Sequence, residues 1–221
     1  MQKTPRLAET NAAGTSPADF NRRGESHMAA YEYDKAIGDF DQAIEQQPDF
    51  ATALGTRARA YYYLGQWDRG LADADRAIAL DATAADYFLT RGSCLSDKDQ
   101  YDQPIKSFDR ALELRPSAAG VTNARGMIFC IKGEYDRALQ DFGRTIAFHP
   151  DDPSAHQYSA WVELKLGRLD PAKAEFGAAI RLAPGTRSLS MAATWSRTAW
   201  ETGRLRRAIS PQRARSRPRS K

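Results

Sequence analysis

Apolar and small residues recur along this chain with a period of 34 positions, and the pattern is repeated five times. Within each period, apolar side chains lie three and four residues apart, which is the spacing of one face of an α-helix. Each period therefore predicts a helix, a turn and an antiparallel helix. The repeated columns are Tyr33, Trp67, Tyr101, Tyr135 and Leu169; Phe40, Ala74, Phe108, Phe142 and Phe176; Ala43, Ala77, Ala111, Thr145 and Ala179.

A fixed period of this length is typical of a solenoid, in which each repeat buries its apolar face only against its neighbours. We expect an all-α fold with a disordered segment over 1–16 before the repeats. The repeats span 17–184, at about 17–50, 51–84, 85–118, 119–152 and 153–186. Such a chain presents a long surface, which favours a binding scaffold over an enzyme.

An aspartate stands at the start of every predicted second helix. Because the same aspartate starts the same helix each time, a helix-capping role explains it better than a metal or acid–base site. Pro104 and Pro171 fit this interpretation, since only the first helical turn accepts proline without losing a hydrogen bond. Gly133 is predicted to end a first helix in the left-handed conformation. The aspartates are Asp34, Asp68, Asp102, Asp136 and Asp170.

A second regularity places an arginine of the first helix sixteen residues before an acid of the second. We interpret it as a partly buried ion pair that fixes helix orientation more than it adds stability, with solvated charges as the alternative. Two repeats depart from the pattern by having a serine at one of the two positions. The pairs are Arg23/Asp39, Arg57/Asp73 and Arg125/Asp141, and the departures are Arg91/Ser107 and Ser159/Glu175.

The composition, 42% hydrophobic and 27% charged, is ordinary for a soluble protein. No stretch approaches the ~18 apolar residues of a membrane span, and no secretory signal is visible, so we expect a cytoplasmic location. Cys94 and Cys130 fall within first helices, where free cysteine acts as a small apolar residue, and we assign both a structural role.

The net charge of +4 conceals a split along the chain. Residues 204–221 contain seven Arg, one Lys and no acid, which is +8, so the remaining residues carry −4. The tail over 210–221 is expected to be disordered, and through phosphate contacts it could bind nucleic acid or anionic membrane. The alternative is a solvated end with no binding role. Its arginines include Arg213, Arg215, Arg217 and Arg219.

The residues also resemble a known family, the tetratricopeptide repeat (TPR). The resemblance covers residues 17 to 184. The chain looks most like the bacterial variety of the repeat, because Arg-Gly occurs in the first helix at Arg23-Gly24, Arg91-Gly92 and Arg125-Gly126. Departures are Gly70 and Pro104 at small Ala positions, Thr145 at another, and His156 where a large apolar residue is usual. The matching residues of the first repeat are Gly24, Tyr33, Ala36, Phe40, Ala43 and Pro48.

The resemblance implies a right-handed superhelix whose first helices line a concave groove that binds a peptide or a partner helix. The amino-terminal end of that groove is expected to be polar, and the other end, with Met127, Ile131, Trp161 and Leu164, to be apolar. Alternatively, a sixth-repeat helix covers those apolar residues. The expected groove residues are Asn21, Glu25, Thr52, Arg59, Tyr62, Leu89, Ser93, Asn123, Met127, Gln157, Tyr158 and Trp161.

One subfamily grips the carboxylate tails of heat-shock chaperones with Lys, Asn and Arg on successive first helices. Neither matching set of residues in this chain neutralises a pair of carboxylates, so we exclude that type of co-chaperone. The two sets are Asn21, Glu25, Thr56, Asp86 and Thr90, and, one repeat further along, Gly55, Arg59, Thr90, Gly120 and Ala124.

After Pro184 the period slips, because Gly203-x-Leu205-x-x-Ala208 follows Gly167-x-Leu169-x-x-Ala172 by 36 residues. Trp195 and Trp200 precede this segment. We expect residues 187–209 to form a partial sixth repeat, a single helix that caps the array.

No phosphate loop, dinucleotide motif, nucleophile elbow or zinc-ligand spacing occurs, and His27, His149 and His156 are scattered. We therefore predict a non-catalytic adaptor without a metal or cofactor, which binds an unknown protein or peptide in its groove. The rival is an electrostatic binder of nucleic acid or membrane that acts only through the basic tail. A third interpretation is a regulatory piece of a larger enzyme assembly, and self-association stays open.

Overall fold

The structure, a computed structural model, describes residues 15–95 and 101–184. Every regular element in these ranges is an α-helix, and there are ten of them. The chain divides into two compact units, a first unit over Met1–Pro116 and a second unit over Ser117–Lys221, and each is described by itself. The predicted all-α fold built of helix–turn–helix repeats is confirmed.

The helices follow one another as antiparallel pairs, two in each predicted repeat. In the first unit, consecutive helices within a repeat pack most closely, and each repeat also packs on the next. The helices are α1 Pro17–Ala29, α2 Tyr33–Gln46, α3 Ala51–Tyr63, α4 Trp67–Leu80, α5 Ala85–Leu95 and α6 Asp102–Leu114 in the first unit, and α7 Ala119–Lys132, α8 Tyr135–Phe148, α9 Pro153–Lys165 and α10 Leu169–Leu182 in the second.

Helix α1 begins at a capping box, a pair of reciprocal hydrogen bonds at its first turn. The Ser16 side chain accepts a hydrogen bond from the Asp19 amide, and the Asp19 carboxylate accepts one from the Ser16 amide. The hydroxyl of Ser16 also holds the pKa of Asp19 below its ordinary value. Ser16, which we predicted to be disordered, is therefore an ordered helix cap.

Three of the repeats pack a glycine of the first helix against a phenylalanine of the second. A β-carbon added to Gly24, Gly92 or Gly126 would lie 2.5 to 2.7 Å from the ring of the phenylalanine sixteen residues later. Those rings are essentially without solvent contact. Only glycine lets the two helices approach so closely, and the phenylalanine then fills the space between them.

In the four repeats whose inner turn the structure describes, that turn uses the left-handed backbone conformation. Gly133 ends α7 with a φ of 74°, as predicted. Gly65 and Gly167 have φ values of 72° and 76° at the same place in their repeats. In the first repeat this place is held by Tyr31, with a φ of 60°. A residue with a side chain is strained in this conformation. The first repeat therefore contains a strained turn, whereas the other described turns avoid the strain by using glycine.

The predicted capping role of the aspartate column is wrong. The N-caps of these helices are Glu32, Gln66, Tyr101, Glu134 and Arg168, so each aspartate lies within the first turn instead. The residue before the helix makes no side-chain capping bond in any of the five. A carboxylate in the first turn interacts favourably with the positive end of the helix dipole, which accounts for the aspartate in every repeat. Pro104 and Pro171 do lie in the first turn.

The predicted Arg–Asp pairs form, and they are bidentate. Arg125 donates from Nε and Nη2 to the two carboxylate oxygens of Asp141 at 2.8 and 2.6 Å. Arg57 does the same to Asp73, at 2.6 and 2.8 Å. Arg23 pairs with Asp39 in the first repeat, its Nε donating at 2.8 Å. Each pair joins the two helices of one repeat, and the aspartates are buried.

Two arginines of this column also join successive repeats, which we did not predict. Arg57 donates from Nη1 to Asp41 of the preceding repeat at 2.6 Å. Arg91 donates to Asp75 of the preceding repeat at 2.6 Å and to Ser107 of its own at 2.9 Å. Burial opposes the charge of Arg57, but its hydrogen bonds to the two aspartates raise its pKa above the ordinary value. One guanidinium therefore fixes three helices.

The fifth repeat satisfies its acid differently. Glu175 lies 2.7 Å from Nδ1 of His156, while Nε2 of the same ring lies 3.2 Å from the carbonyl oxygen of Pro150. His156 is buried, so a polar ring at this place needs these partners. In this repeat, Ser159 stands at the arginine position, and His156 is the side chain that contacts the acid.

Candidate functional site

The second unit contains an open apolar pocket of about 360 Å³. It lies between the first helices of the fourth and fifth repeats, α7 and α9, and Tyr135 at the start of α8 also lines it. Its lining is mostly apolar and aromatic, which is the usual character of a ligand site. The lining residues are Met127, Cys130, Tyr135, Gln157, Tyr158, Trp161, Val162 and Lys165.

The aromatic residues of the pocket are held from behind by the core. Trp161 meets Phe176 edge-on, with the ring centroids 5.7 Å apart. Tyr158 packs at 5.4 Å against Phe142, the ring that fills the space beside Gly126. Both side chains are thus fixed by a buried phenylalanine of a second helix. Rigid aromatic groups of this kind bind a partner with little loss of side-chain entropy.

Apolar side chains around the pocket remain open to solvent. Met127 is 40% exposed and Trp161 is 41% exposed. Ile131, one turn further along α7, is exposed as well. Tryptophan and methionine are enriched at anchoring or adaptable contacts between proteins. These exposed groups give the second unit an apolar surface around the pocket.

The polar groups that line the pocket are the Gln157 amide, the phenols of Tyr135 and Tyr158, the Cys130 thiol and the Lys165 ammonium group. Lys165 is exposed, and within the described residues its ammonium group makes no ion pair. Burial raises the pKa of the Cys130 thiol, so the sulfur stays protonated and behaves as an apolar wall. The pocket therefore combines an apolar interior with a single positive charge at its edge.

Four of the twelve expected groove residues come together at the pocket, namely Met127, Gln157, Tyr158 and Trp161. Asn123, also expected there, instead donates from Nδ2 to Asp152 at 3.2 Å, the carboxylate that caps the start of α9. Leu164, placed at the apolar end of the groove, packs on the buried cluster of Ala160 and Phe176 instead.

The remaining expected groove residues lie in the first unit and are mostly polar. Asn21 is buried and donates to Glu25 at 2.9 Å. Ser93 donates to the carbonyl of Leu89 at 2.9 Å. Tyr62 is only partly exposed, and burial raises the pKa of its phenol. Thr52 and Arg59 are exposed. A groove that runs along all five repeats remains a prediction.

Sequence reasoning missed four of the residues that line the pocket, which are Cys130, Tyr135, Val162 and Lys165. Tyr135 was assigned only to a repeated column, and Cys130 only to a structural role in its helix. A comparison between repeats could have found Lys165, because this lysine stands where the second repeat has Tyr63. The predicted sixth-repeat helix, with Trp195 and Trp200, and the basic tail lie outside the described residues.

Metal sites, membrane-spanning helices and a second cysteine can also be checked in the described residues. Among 15–95 and 101–184, no group of three or more His, Cys, Asp or Glu side chains is placed to hold a metal ion. Over the same residues, no helix has the length and hydropathy needed to cross a bilayer. Cys94 is fully buried, and burial raises the pKa of its thiol to about 11.

Comparison with known proteins decides the family. The Tetratricopeptide repeat model matches residues 21–85, 56–119, 89–156 and 132–187, which together span most of the chain. This chain belongs to the tetratricopeptide repeat family. TPR proteins are in general non-catalytic scaffolds that bind protein or peptide partners, and the repeats make this chain a protein–protein interaction scaffold. None of the curated proteins matches it significantly.

Solved structures of other TPR proteins share the fold. A thermophilic TPR protein from Thermus thermophilus, TTC0263, is 23% identical, with a TM-score of 0.70 over 82% of this chain and 99% of that one. PilF from Pseudomonas aeruginosa is 15% identical, with a TM-score of 0.74 over 87% and 88%. YrrB, described as a TPR protein with an unusual peptide-binding site, is 19% identical, with a TM-score of 0.60 over 80% and 90%. At these identities the likeness extends to the fold alone.

Proposed function

We propose that this TPR protein is a non-catalytic adaptor that binds a peptide or a helix of a partner protein at the pocket of its second unit. The observation that supports the proposal is the pocket itself, in which exposed Met127 and Trp161 flank an apolar cavity. A monomeric protein rarely leaves such side chains clustered in a concavity without a partner to cover them. The expected cytoplasmic location is part of this proposal, and cell fractionation tests it.

The energetic argument rests on few residues. Interfaces of this kind are dominated by a small number of aromatic and apolar anchors, while the surrounding contacts mainly exclude water. Trp161 and Met127 supply the anchors, and Phe176 of the core packs behind Trp161. Removal of an anchor should cost about 2 kcal/mol of binding free energy, which is roughly a thirtyfold loss of affinity.

The test is selection of peptides from a random displayed library on the full chain, followed by measurement of their affinities. We expect the selected peptides to lose affinity for Trp161→Ala and Met127→Ala. Phe148→Ala is the matched control, because Phe148 is 53% exposed but does not line the pocket. Equal affinity of all three variants and the wild type would contradict the proposal.

The basic tail supports a second candidate function, which is binding of nucleic acid or anionic membrane through residues 204–221. The observation that favours it is the +8 charge of this segment, in which no acidic residue is present. A chain that ends at Gly203 separates the two functions. It should keep peptide binding at the pocket and lose any binding to a DNA duplex or to phosphatidylserine vesicles.

A further inference from the structure

The first two repeats hold a stacked aromatic pair at two places that correspond to lining positions of the pocket in the second unit. There, Tyr63 at the end of α3 stacks on Tyr33 at the start of α2, with ring centroids 5.0 Å apart and an angle of 20° between the planes. Three periods later, the same two places hold Lys165 at the end of α9 and Tyr135 at the start of α8. Tyr135 and Lys165 both line the open pocket.

The comparison identifies one difference between the two units at the edge of the open pocket. In the first unit, the chain supplies an aromatic ring that stacks on the tyrosine at the start of a second helix. In the second unit, a lysine replaces that ring, and its flexible, hydrated ammonium group does not fill the same apolar space. Within 15–95 and 101–184, Tyr135 therefore has no stacking partner like the one that Tyr33 has.

We propose that the pocket takes an aromatic side chain of the partner peptide, which stacks on Tyr135 as Tyr63 stacks on Tyr33. Trp161 and Met127 form further walls of the pocket, and Met127 offers a thioether that interacts well with ring edges. This inference rests on the proposed function and adds the chemistry of the ligand. The occupant is a peptide from another protein that carries phenylalanine, tyrosine or tryptophan at its anchoring position.

The charge at the rim adds a second requirement. Lys165 is exposed, lines the pocket and makes no ion pair within the described residues. An acidic group beside the aromatic residue would meet this ammonium group at the pocket edge. The recognised element is therefore an aromatic side chain with a neighbouring carboxylate, such as an aspartate or glutamate or the end of a chain.

The test uses three small probes in place of the unidentified peptide: 3-phenylpropionate, 3-cyclohexylpropionate and 3-phenylpropionamide. Binding to the full chain is followed through the ¹³C-labelled methyl group of Met127. The cyclohexyl ring is at least as apolar as the phenyl ring, so simple burial of apolar area gives it equal or tighter binding. Aromatic stacking reverses this order, and we expect the phenyl acid to bind roughly two- to tenfold more tightly.

Two variants of one residue test the placement. Lys165→Tyr should stack on Tyr135, close the pocket and abolish probe binding, while the melting temperature stays equal or rises. Lys165→Gln leaves the space open and removes the charge. It should weaken binding of the phenyl acid by roughly two- to fivefold and leave binding of the amide unchanged.

Each contrary result overturns a defined part of the inference. Equal or tighter binding of the cyclohexyl acid, or no binding of either acid, overturns aromatic recognition, and unchanged binding to Lys165→Tyr overturns the placement on Tyr135. If Lys165→Gln binds the phenyl acid as the wild type does, the carboxylate requirement is wrong. A gain of probe affinity when Trp195 and Trp200 are both replaced by Ala would make the occupant the chain's own aromatic residue. The proposed function fails separately, if selected peptides do not depend on Trp161.

Discussion

Gly126 lies directly against the ring of Phe142, so that a β-carbon on this glycine would be only 2.7 Å from Cε1 of the ring. The same ring supports Tyr158 at the pocket. The close approach of α7 and α8 that defines the repeat is therefore also what holds one wall of the candidate site.

We expect Gly126→Ala to lower the free energy of unfolding by about 1–3 kcal/mol, because the added methyl group must displace a fully packed ring. Gly143→Ala is the matched control on α8, since its β-carbon would meet nothing within 4 Å. That change should raise stability by about 1 kcal/mol through better helix propensity. Urea denaturation of both variants measures the difference, and destabilisation of equal size in the two would contradict the steric explanation.

The strained turn at Tyr31 gives a second prediction that compares glycine with alanine. Tyr31→Gly should be about 1 kcal/mol more stable than Tyr31→Ala, because only glycine adopts a φ of 60° without steric cost. The comparison with alanine removes the contribution of the ring, which meets Tyr33 edge-on at 6.4 Å. Thermal unfolding measures both. If the two variants melt together, the turn is not strained.

Breaking the buried ion pair of the fourth repeat should lower the free energy of unfolding strongly. Replacing both partners with apolar residues should lower it much less. Arg125→Ala leaves the buried Asp141 without its partner, and we expect a loss of about 3 kcal/mol. The double variant Arg125→Met with Asp141→Leu should recover most of that loss, since burial of a charge is no longer required. Denaturant unfolding decides: a double variant as unstable as the single one would show that the pair itself stabilises the repeat.

The thiol of Cys94 makes stability depend on pH in the alkaline range. Burial raises its pKa from 9.0 to about 11 in the folded chain, so between these values the unfolded chain releases a proton that the folded chain keeps. Stability is therefore fully present below pH 9 and falls as the pH rises, by about 1.4 kcal/mol per pH unit. Between pH 8 and 10.5, Cys94→Ala should lose less stability than the wild type does. Parallel curves would contradict this.

Salt separates the two candidate functions. Affinity of a selected peptide for the pocket should change little between 50 and 200 mM salt, because its main contacts are apolar. A complex held by six or more arginines on phosphate would weaken by roughly a thousandfold over the same range. Fluorescence anisotropy at both salt concentrations measures the effect. A steep loss of peptide affinity would move the binding site to the basic tail.

The period of the sequence predicted most of the fold because it reports packing that every repeat must share. The Arg–Asp pairs and the left-handed Gly133 followed from it for the same reason. The predicted capping role of Asp136 was wrong, because an aspartate in the first turn of a helix has the same sequence signature as an aspartate at its cap. Helix ends depend on backbone angles that composition does not fix.

The pocket was harder to predict because it arises from a difference between repeats. Met127 and Trp161 were found as apolar residues on first helices, where polar ones are found elsewhere in this chain. Tyr135 and Lys165 were missed, since each is unremarkable until the second unit is compared with the stacked Tyr33 and Tyr63. Asn123 was expected to face a ligand, but a turn aspartate in the same unit binds it.

The most direct test of the central claim is the methyl NMR spectrum of the methionine-labelled chain, recorded with and without a selected peptide. The chain has four methionines, so each signal can be assigned by substitution. Met127 lines the pocket, Met28 lies at the counterpart of Cys130 in the first repeat, and Met1 and Met191 report on the remainder. We predict that the peptide shifts the Met127 signal and leaves Met28 unchanged. A shift confined to Met28 or Met191 would contradict binding at this pocket.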